Sequence, residues 1–265
     1  MKKSLTVLLK YLAKKSFLTK LNAIATYRVF TVNSAGSINQ RFDLLEHEIE
    51  NVWNSLGLFS AEPTVIDIDT IIGSEETIVL WDSTFKKYGS DKSTYHNYHR
   101  YYSTWHERLQ NGMMSSILEI GLGTNNSQIL SNMGIGGKPL ASLHAWKNLG
   151  FSSVAGADID RDLLNDESFD LFFCDQLNSL EFATIMKKRN KFYDVIVDDG
   201  LHTINANLIT LKSTWDYLND GGVYLVEDVH KDSLPFWRYF LGTYFPNNSK
   251  IILTKGSNCL IEIVK

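Results

Sequence analysis

From residue 116 onward, short apolar runs alternate with stretches that are long enough to hold a helix. The runs are SILEI at 116–120, SVAGADI at 153–159, DLFFCD at 170–175, YDVIVDD at 193–199 and GVYLVEDV at 222–229. Parallel strands that are buried on both faces have such continuous Val-, Ile- and Leu-rich sequences. Residues 139–150 and 203–218 are predicted to be helices, and so is a short segment around Phe182 and Met186. This alternation predicts an α/β fold with a doubly wound parallel sheet.

The chain closes with two further apolar runs, KIILTKG at 250–256 and CLIEIVK at 259–265. Only Ser257 and Asn258 separate them, which is too short for the crossover that two parallel strands need. The sequence therefore predicts an antiparallel β-hairpin at the end of the sheet. This ending is unusual for a dehydrogenase and is typical of the Rossmann-like methyltransferase sheet.

The first 80 residues differ in character from the remainder. Leu5, Leu8, Leu9 and Leu12 form the apolar stripe of an amphipathic helix, residues 42–56 form a second stripe, and residues 64–72 alternate like a short strand. We expect a mainly helical extension over residues 1–80, used for assembly or substrate contact, and a catalytic domain over residues 81–265. The first helix is expected to dock on the body or on a second subunit. Peripheral membrane contact through residues 1–20 is the less favoured alternative.

The charge distribution argues against nucleic acid as a partner. Residues 1–30 carry seven basic residues and no acid, so the remaining 19 basic residues face 30 acidic ones. A body with this acidic balance is poorly suited to the phosphate backbone. The chain has no apolar stretch of roughly 18 residues that could span a membrane. Cys174 and Cys259 lie far apart in apolar surroundings, which favours free thiols and a cytoplasmic location.

Polar residues follow the first three predicted strands, where a doubly wound sheet binds its ligand. Gly121 and Gly123 follow the first strand, Asp158 ends the second, and Asp175 and Gln176 end the third. Glycine lets backbone approach a ligand closely, and a carboxylate can accept hydrogen bonds from ribose hydroxyls. Together these residues predict a nucleoside pocket. Taken singly, the glycines could serve packing alone, and the acids could be helix N-caps.

Carboxylates also follow the next two strands. Asp199 ends the fourth strand, and Glu227 and Asp228 end the fifth, so neighbouring strands would bring them together. Three carboxylates in one pocket repel each other unless protons or a cation offset the repulsion. Oxygen ligands favour Mg²⁺, with Mn²⁺ or Ca²⁺ also compatible. His202 lies at the mouth of the same pocket and is the candidate general base, with His230 as its alternative. Helix capping or solvent exposure is the competing explanation for the acids.

Several motifs carry a resemblance to a known family. ILEIGLGTNN, SNMGIGGKPLASLHAW, VAGADID, DVIVDDGLHT and GGVYLVEDV, with KKYGSDKSTYHNYHRYY upstream, resemble the macrocin O-methyltransferase group of class I methyltransferases over about residues 85–230. The resemblance implies S-adenosylmethionine as cofactor, a divalent metal, oligomerisation and a polar small-molecule acceptor such as a sugar. It implies a cofactor site lined by Gly121, Ser142, Asp158, Asp175, Gln176 and Asp198, with Tyr88 and Lys92 closing over the cofactor. It also implies Asp199, Glu227 and Asp228 as metal ligands and His202 as base.

Two other classes of function remain open from the sequence. An NAD-dependent oxidoreductase would explain Gly121, Gly123 and Asp158 but not the acidic trio or the closing hairpin. A non-catalytic nucleoside-binding assembly module would not require the carboxylates and histidine to stay together. The acceptor is also open, because a metal between carboxylates could orient a phosphate or phosphoramidate oxygen as well as a sugar hydroxyl. Residues 95–102, rich in Tyr and His, could contact a polar acceptor or form one face of an amphipathic helix.

Overall fold

A computed structural model describes residues 62–71, 73–134 and 136–265. The chain separates into two compact units, of which one contains Thr64–Lys231 and Asn248–Lys265 and carries the sheet. Residues 232–247 belong to the other unit, where Leu234–Tyr244 forms a helix. The helices expected in residues 1–61 lie outside the described residues, and the division of the chain at residue 80 stays a prediction.

The sheet has eight strands in the order β1-β7-β8-β6-β5-β2-β3-β4. The strands are β1 (Thr64–Asp67), β2 (Ser116–Ile120), β3 (Ser153–Asp158), β4 (Asp170–Phe173), β5 (Tyr193–Asp198), β6 (Leu218–His230), β7 (Ser249–Leu253) and β8 (Asn258–Val264). β8 pairs antiparallel with both β6 and β7, whereas the other pairings are parallel. The predicted α/β doubly wound sheet with a closing antiparallel hairpin is confirmed.

Three details of the prediction need correction. The hairpin connection is longer than two residues, since β7 ends at Leu253 and β8 begins at Asn258. β6 begins at Leu218, where it already pairs with Tyr193 of β5, four residues before the apolar run. β1 is shorter than the alternating segment, because a 3₁₀ turn follows at Ile68–Thr70, and it joins the sheet beside β7.

Seven helices accompany the sheet in the described part of its unit. They are α1 (Glu75–Tyr88), α2 (Asp91–Thr94), α3 (His99–Tyr102), α4 (His106–Gln110), α5 (Ala141–Leu149), α6 (Ser179–Arg189) and α7 (Ile204–Thr214). Ser74 caps the start of α1, and Gly89, in the left-handed conformation, ends it. None of the helices within residues 62–71, 73–134 and 136–265 combines the length and apolar character needed to cross a membrane.

An aromatic cluster packs α1 and α3 against α5. The Phe85 and Trp146 rings meet edge to face at 4.9 Å, and Tyr102 meets Trp146 at 4.9 Å. All three side chains are buried. Aromatic pairs of this geometry stabilise beyond the area that they bury. The packing holds α1 and α3 beside the carboxyl end of β2, which is where the strand order reverses between β2 and β5.

Candidate functional site

A cavity of about 350 Å³ lies at the carboxyl ends of the central strands. The predicted site residues that line it are Gly121, Gly123, Ser142, Asp158, Asp175, Gln176, Asp199, His202 and Asp228. Tyr88, Asp198 and Glu227 were also expected at the site but are not among its lining residues. The structure therefore brings most of the predicted residues to one cavity at the reversal point of the sheet.

The two glycines after β2 are required by the packing of the protein itself. Gly121 has φ +91°, and a Cβ there would lie 2.2 Å from the carbonyl oxygen of Asp199. Gly123 has φ +74°, and a Cβ there would lie 2.0 Å from Met133 Sδ. Both positions favour glycine because of their conformation and their neighbours. The turn brings the loops after β2 and β5 into direct contact, so packing alone accounts for the glycines.

Asp158 organises the loops on the other side of β2. Its Oδ2 accepts a hydrogen bond from Leu122 N at 2.7 Å, and its Oδ1 accepts one from Asp160 N at 2.7 Å. Burial raises the pKa of Asp158, although these backbone donors oppose the shift. A carboxylate has about four lone-pair sites, so the two bonds leave acceptor capacity for a ligand hydroxyl. The Thr124 hydroxyl donates to Asp160 beside it, a contact that the sequence did not predict.

Gln176 lines the cavity, and Asp198 holds it in place from behind the wall. Gln176 Nε2 donates to Asp198 Oδ1 at 2.7 Å and to Thr210 Oγ1 at 2.8 Å, while its Oε1 accepts from Leu201 N at 2.8 Å. Asp198 is fully buried and also accepts from Asn207 Nδ2 at 3.0 Å. The expectation that Asp198 lines the cofactor site therefore differs from the structure, because its oxygens are directed to α7 and Gln176. Gln176 likewise has both amide hydrogens engaged within the protein.

Lys92 stands at the centre of the carboxylate cluster. Its Nζ lies 2.7 Å from Asp199 Oδ2 and 2.8 Å from both oxygens of Glu227. The same nitrogen lies 3.1 Å from Glu119 Oε1, and Lys92 is only 2% exposed. Burial alone would lower the pKa of Lys92, but the carboxylates raise it well above its usual value. Lys92 thus contacts the carboxylates themselves, where it had been expected to close over the cofactor.

Two carboxyl groups that contact Lys92 have raised pKa values. Burial and the neighbouring Glu227 raise the pKa of Asp199 well above its usual range, although the Lys92 ammonium opposes the shift. Burial also raises the pKa of Glu227, with Lys92 again acting in the opposite direction. Glu227 further accepts a hydrogen bond from the Tyr102 hydroxyl. These shifts follow from one ammonium facing three carboxylates away from water.

Asp228 forms the outer side of the cluster. It has φ +52°, a left-handed conformation that few non-glycine residues adopt. Its Oδ1 accepts from the Tyr98 hydroxyl at 2.5 Å and from Asn258 Nδ2 at 3.2 Å, and His96 Nδ1 lies 3.4 Å away. Burial would raise the pKa of Asp228, but His96, Tyr98 and His202 hold it below its usual value. The carboxylate is therefore ionised, and Asp228 is among the residues that line the cavity.

A possible metal-binding group is present, and its membership differs from the predicted trio. Ligand atoms of Asp199, His202 and Asp228 all lie within 4.8 Å of one another. Glu227 was predicted as the third ligand, but its two oxygens bind Lys92 and Tyr102 instead. Two of the three predicted ligands therefore meet at one point, and His202 stands beside them.

His202 has the environment expected of a neutral base. Its backbone has φ +55°, and its Nδ1 is buried and has no hydrogen-bond partner among the residues that the structure describes. Burial lowers the pKa of His202, although Asp228 and Asp198 oppose the shift. The ring is consequently uncharged near neutral pH and can accept a proton.

The Tyr- and His-rich segment divides into a buried and an accessible part. His99, Tyr101 and Tyr102 are buried, and the Tyr101 hydroxyl donates to Glu262. Tyr95 is 82% exposed, and its ring meets that of His96 at 4.8 Å. Only the first part of the segment is thus available to an acceptor.

Some site residues differ from, or were missed by, the sequence prediction. Tyr88 stacks on His144 at 5.7 Å outside the cavity lining, so it differs from its predicted place over the cofactor. Glu119 was not predicted, although an acid inside the apolar run SILEI is a signal that could have identified it.

The chain is similar to a sugar-directed methyltransferase in sequence. It is 29% identical over 161 residues to the 8-demethyl-8-alpha-L-rhamnosyl tetracenomycin-C 2'-O-methyltransferase of Streptomyces olivaceus. The match covers 60% of this chain and 39% of the relative, so this chain spans about two fifths of that protein's length. No model of a known protein family matches the chain.

Solved methyltransferase structures share the fold. The MycE methyltransferase of the mycinamycin biosynthetic pathway, in complex with Mg, SAH and mycinamycin VI, matches with a TM-score of 0.55 and 18% identity. That match covers 70% of this chain and 54% of MycE. A second MycE structure with Mg and SAH matches with a TM-score of 0.52 and 18% identity, over 70% and 55% of the two chains. The chain therefore has the class I methyltransferase fold, and its predicted resemblance to macrocin-type O-methyltransferases is confirmed.

Proposed function

We propose that this chain transfers the methyl group of S-adenosylmethionine to a hydroxyl oxygen of a sugar, with the help of a divalent metal. The observation that carries the proposal is the meeting of Asp199, His202 and Asp228 within 4.8 Å at the rim of the cavity. A nucleoside cavity on one side and a base with carboxylates on the other suit a methyl transfer between two bound molecules. The relative from Streptomyces olivaceus is named as the 2'-O-methyltransferase of a rhamnosyl compound, and the MycE structure contains Mg, SAH and mycinamycin VI.

The charge of the cluster supports a bound cation. Glu119, Asp199 and Glu227 share the single ammonium of Lys92, and Asp228 adds a fourth carboxylate. Buried carboxylates in this excess are stable only with protons or further positive charge. Mg²⁺ is the best fit for oxygen ligands, and Mn²⁺ is a close substitute. When bound, the metal would orient the acceptor oxygen and stabilise the negative charge that develops on it.

Asp199 and Asp228 would hold the metal both in the ligand set predicted from the sequence and in the set defined by distance in the structure. The third ligand is Glu227 in the sequence prediction and His202 in the group defined by distance. A metal-bound histidine could not serve as the base, so with His202 as base the third ligand would be Glu227, whose carboxylate would exchange a contact with Lys92 for one with the metal. Metal binding to His202→Ala and Glu227→Gln, measured by calorimetry with Mn²⁺, separates the two. Strong weakening in His202→Ala alone would assign the histidine to the metal.

His202 would take the proton of the acceptor hydroxyl. As the new carbon–oxygen bond forms, the carbon–sulfur bond of the sulfonium breaks and the hydroxyl proton moves to a His202 ring nitrogen. The lowered pKa of His202 keeps the ring neutral and ready for this step. Asp158 and Asp175 would accept hydrogen bonds from the nucleoside. Gly121 and Gly123 shape the turn beneath it, Ser142 lines its wall, and Gln176 and Asp198 keep the wall in place.

The partners of the protein, its cellular location and its oligomeric state are also part of the proposal. The acidic body makes nucleic acid an unsuitable partner, and a polar small molecule is the expected acceptor. We place the protein in the cytoplasm as a homo-oligomer, with peripheral membrane contact through residues 1–20 as the less favoured arrangement. A phosphate or phosphoramidate oxygen would suit the same metal chemistry as a sugar hydroxyl.

A radioactive transfer assay tests the proposal. S-adenosylmethionine labelled in its methyl group is incubated with the full chain and a panel of glycosides, nucleotide sugars and phosphorylated metabolites. We expect label to appear in a sugar-containing acceptor. Excess chelator should abolish the transfer, and added Mg²⁺ or Mn²⁺ should restore it. Transfer that persists in excess chelator would count against the metal. Binding of NAD without binding of S-adenosylmethionine would favour the oxidoreductase, and cofactor binding without turnover on any acceptor would favour the assembly module.

A further inference from the structure

Two lysine side chains line the cavity, and their surroundings differ. Lys92 is buried and neutralised by Glu119, Asp199 and Glu227. Lys138 is exposed, and it forms no ion pair with any carboxylate of the described residues. A cavity-lining ammonium without a protein partner is available to a ligand, whereas the Lys92 ammonium is not.

The position of Lys138 places this free charge beside the connection from α1 to α2. A Cβ on Gly89 would lie 2.5 Å from Lys138 Cδ and 3.0 Å from Lys138 Nζ, so the lysine side chain crosses directly over Gly89. The residues that follow Gly89 line the cavity and lead to Lys92, which reaches Asp199. Lys138 therefore flanks the part of the cavity that leads to the carboxylate cluster.

S-adenosylmethionine carries three groups on its sulfur, and the cavity offers a place for each. In the proposed function the adenosyl group lies over Asp158 and Asp175, and the methyl group faces His202. The third group is an amino-acid arm that ends in an ammonium and a carboxylate. An anion is poorly tolerated here without a cation, because several carboxylates already line the cavity. They are Asp91, Asp158, Asp175, Asp199 and Asp228.

We infer that Lys138 binds the carboxylate of the amino-acid arm of S-adenosylmethionine. The inference rests on the proposed function and adds a cofactor-binding residue to it. Because Lys138 is solvent-exposed, the ion pair is partly screened, and we expect it to contribute about 3-fold to 5-fold to cofactor affinity. Glycine at position 89 fits this role, since a larger residue would displace the lysine from its path.

Calorimetry with two ligands tests the inference. S-adenosylhomocysteine carries the carboxylate, and S-adenosyl-3-thiopropylamine lacks only that group. We expect the wild-type chain to prefer the first ligand by about 3-fold to 5-fold, and Lys138→Met to reduce this preference below about 2-fold by weakening the binding of the first ligand alone. Lys138→Arg should keep the preference. Lys187→Met, which removes an exposed positive charge from α6 outside the cavity, is the matched control and should change neither affinity.

The outcomes separate this inference from the proposed function. A Lys138→Met variant that retains the full preference, or that weakens both ligands equally, overturns the role of Lys138 while leaving the cofactor site intact. A wild-type chain that binds neither ligand contradicts the proposed function, and this inference then fails with it.

Discussion

Replacement of Lys92 by Met tests how the carboxylate cluster is held together. Methionine keeps most of the apolar stem and removes the ammonium that contacts Asp199, Glu227 and Glu119 at 2.7–3.1 Å. Removing one partner of a buried ion pair leaves uncompensated charge, which typically costs about 3–5 kcal/mol of unfolding free energy. Lys86→Met is the matched control, because Lys86 Nζ lies at a similar 2.6 Å from Asp82 while its side chain is 52% exposed. That exposed pair should contribute less than about 1 kcal/mol.

The pH dependence of the Lys92→Met loss has a definite sign. Asp199 and Glu227 already have raised pKa values in the folded chain, and removal of the ammonium raises them further. A carboxyl with a raised folded pKa reduces stability as the pH rises above its unfolded pKa of about 4. Guanidinium unfolding followed by tryptophan fluorescence should therefore show a larger loss at about pH 8 than at about pH 5. A loss that equals that of Lys86→Met, or that does not grow with pH, would refute the reasoning.

Three further predictions address the base, the metal and the turn. His202→Ala should retain S-adenosylhomocysteine binding and lose about 10²-fold in kcat. The wild-type kcat should be constant above about pH 6.5 and fall at lower pH, because the base must be neutral and the pKa of His202 is lowered; unchanged turnover in the variant would exclude His202 as the base. Asp199→Asn should weaken Mn²⁺ binding measured by calorimetry, whereas Asp175→Asn, at the nucleoside end of the cavity, should not; equal effects would argue against a localised metal site. Gly121→Ala should lower the unfolding free energy by more than about 2 kcal/mol through its 2.2 Å approach to the Asp199 carbonyl, and Gly112→Ala, with positive φ but open space, by about 1 kcal/mol; similar losses would show that the close approach is relaxed at little cost.

The strands of the sheet could be read from the sequence because their signal is local. A strand that is buried on both faces is itself an apolar run, as at 116–120 and 193–199. The hairpin could be predicted as well, since a short connection excludes a crossover. The start of β6 could not, because Leu218 joins the strand through its pairing with Tyr193 and not through its own neighbours.

The site was predicted in its location and less well in its contacts. Residues at strand ends meet at one edge of a parallel sheet, so Asp158, Asp199 and Asp228 could be assigned to one cavity. Contacts between distant segments have no local signal: Lys92 and Glu227 are 135 residues apart, and their distance of 2.8 Å depends on the packing of α1, α3 and α5. The same holds for Asp198, whose oxygens are directed to α7 by the fold.

A crystal of the full chain with S-adenosylhomocysteine and Mn²⁺ gives the most direct test of the proposed site. Manganese scatters anomalously, so an anomalous difference map locates the ion independently of the surrounding atoms. The account predicts one peak in contact with Asp199 and Asp228, and adenosine density beside Asp158 and Asp175. An ion bound elsewhere, or S-adenosylhomocysteine outside this cavity, would contradict it.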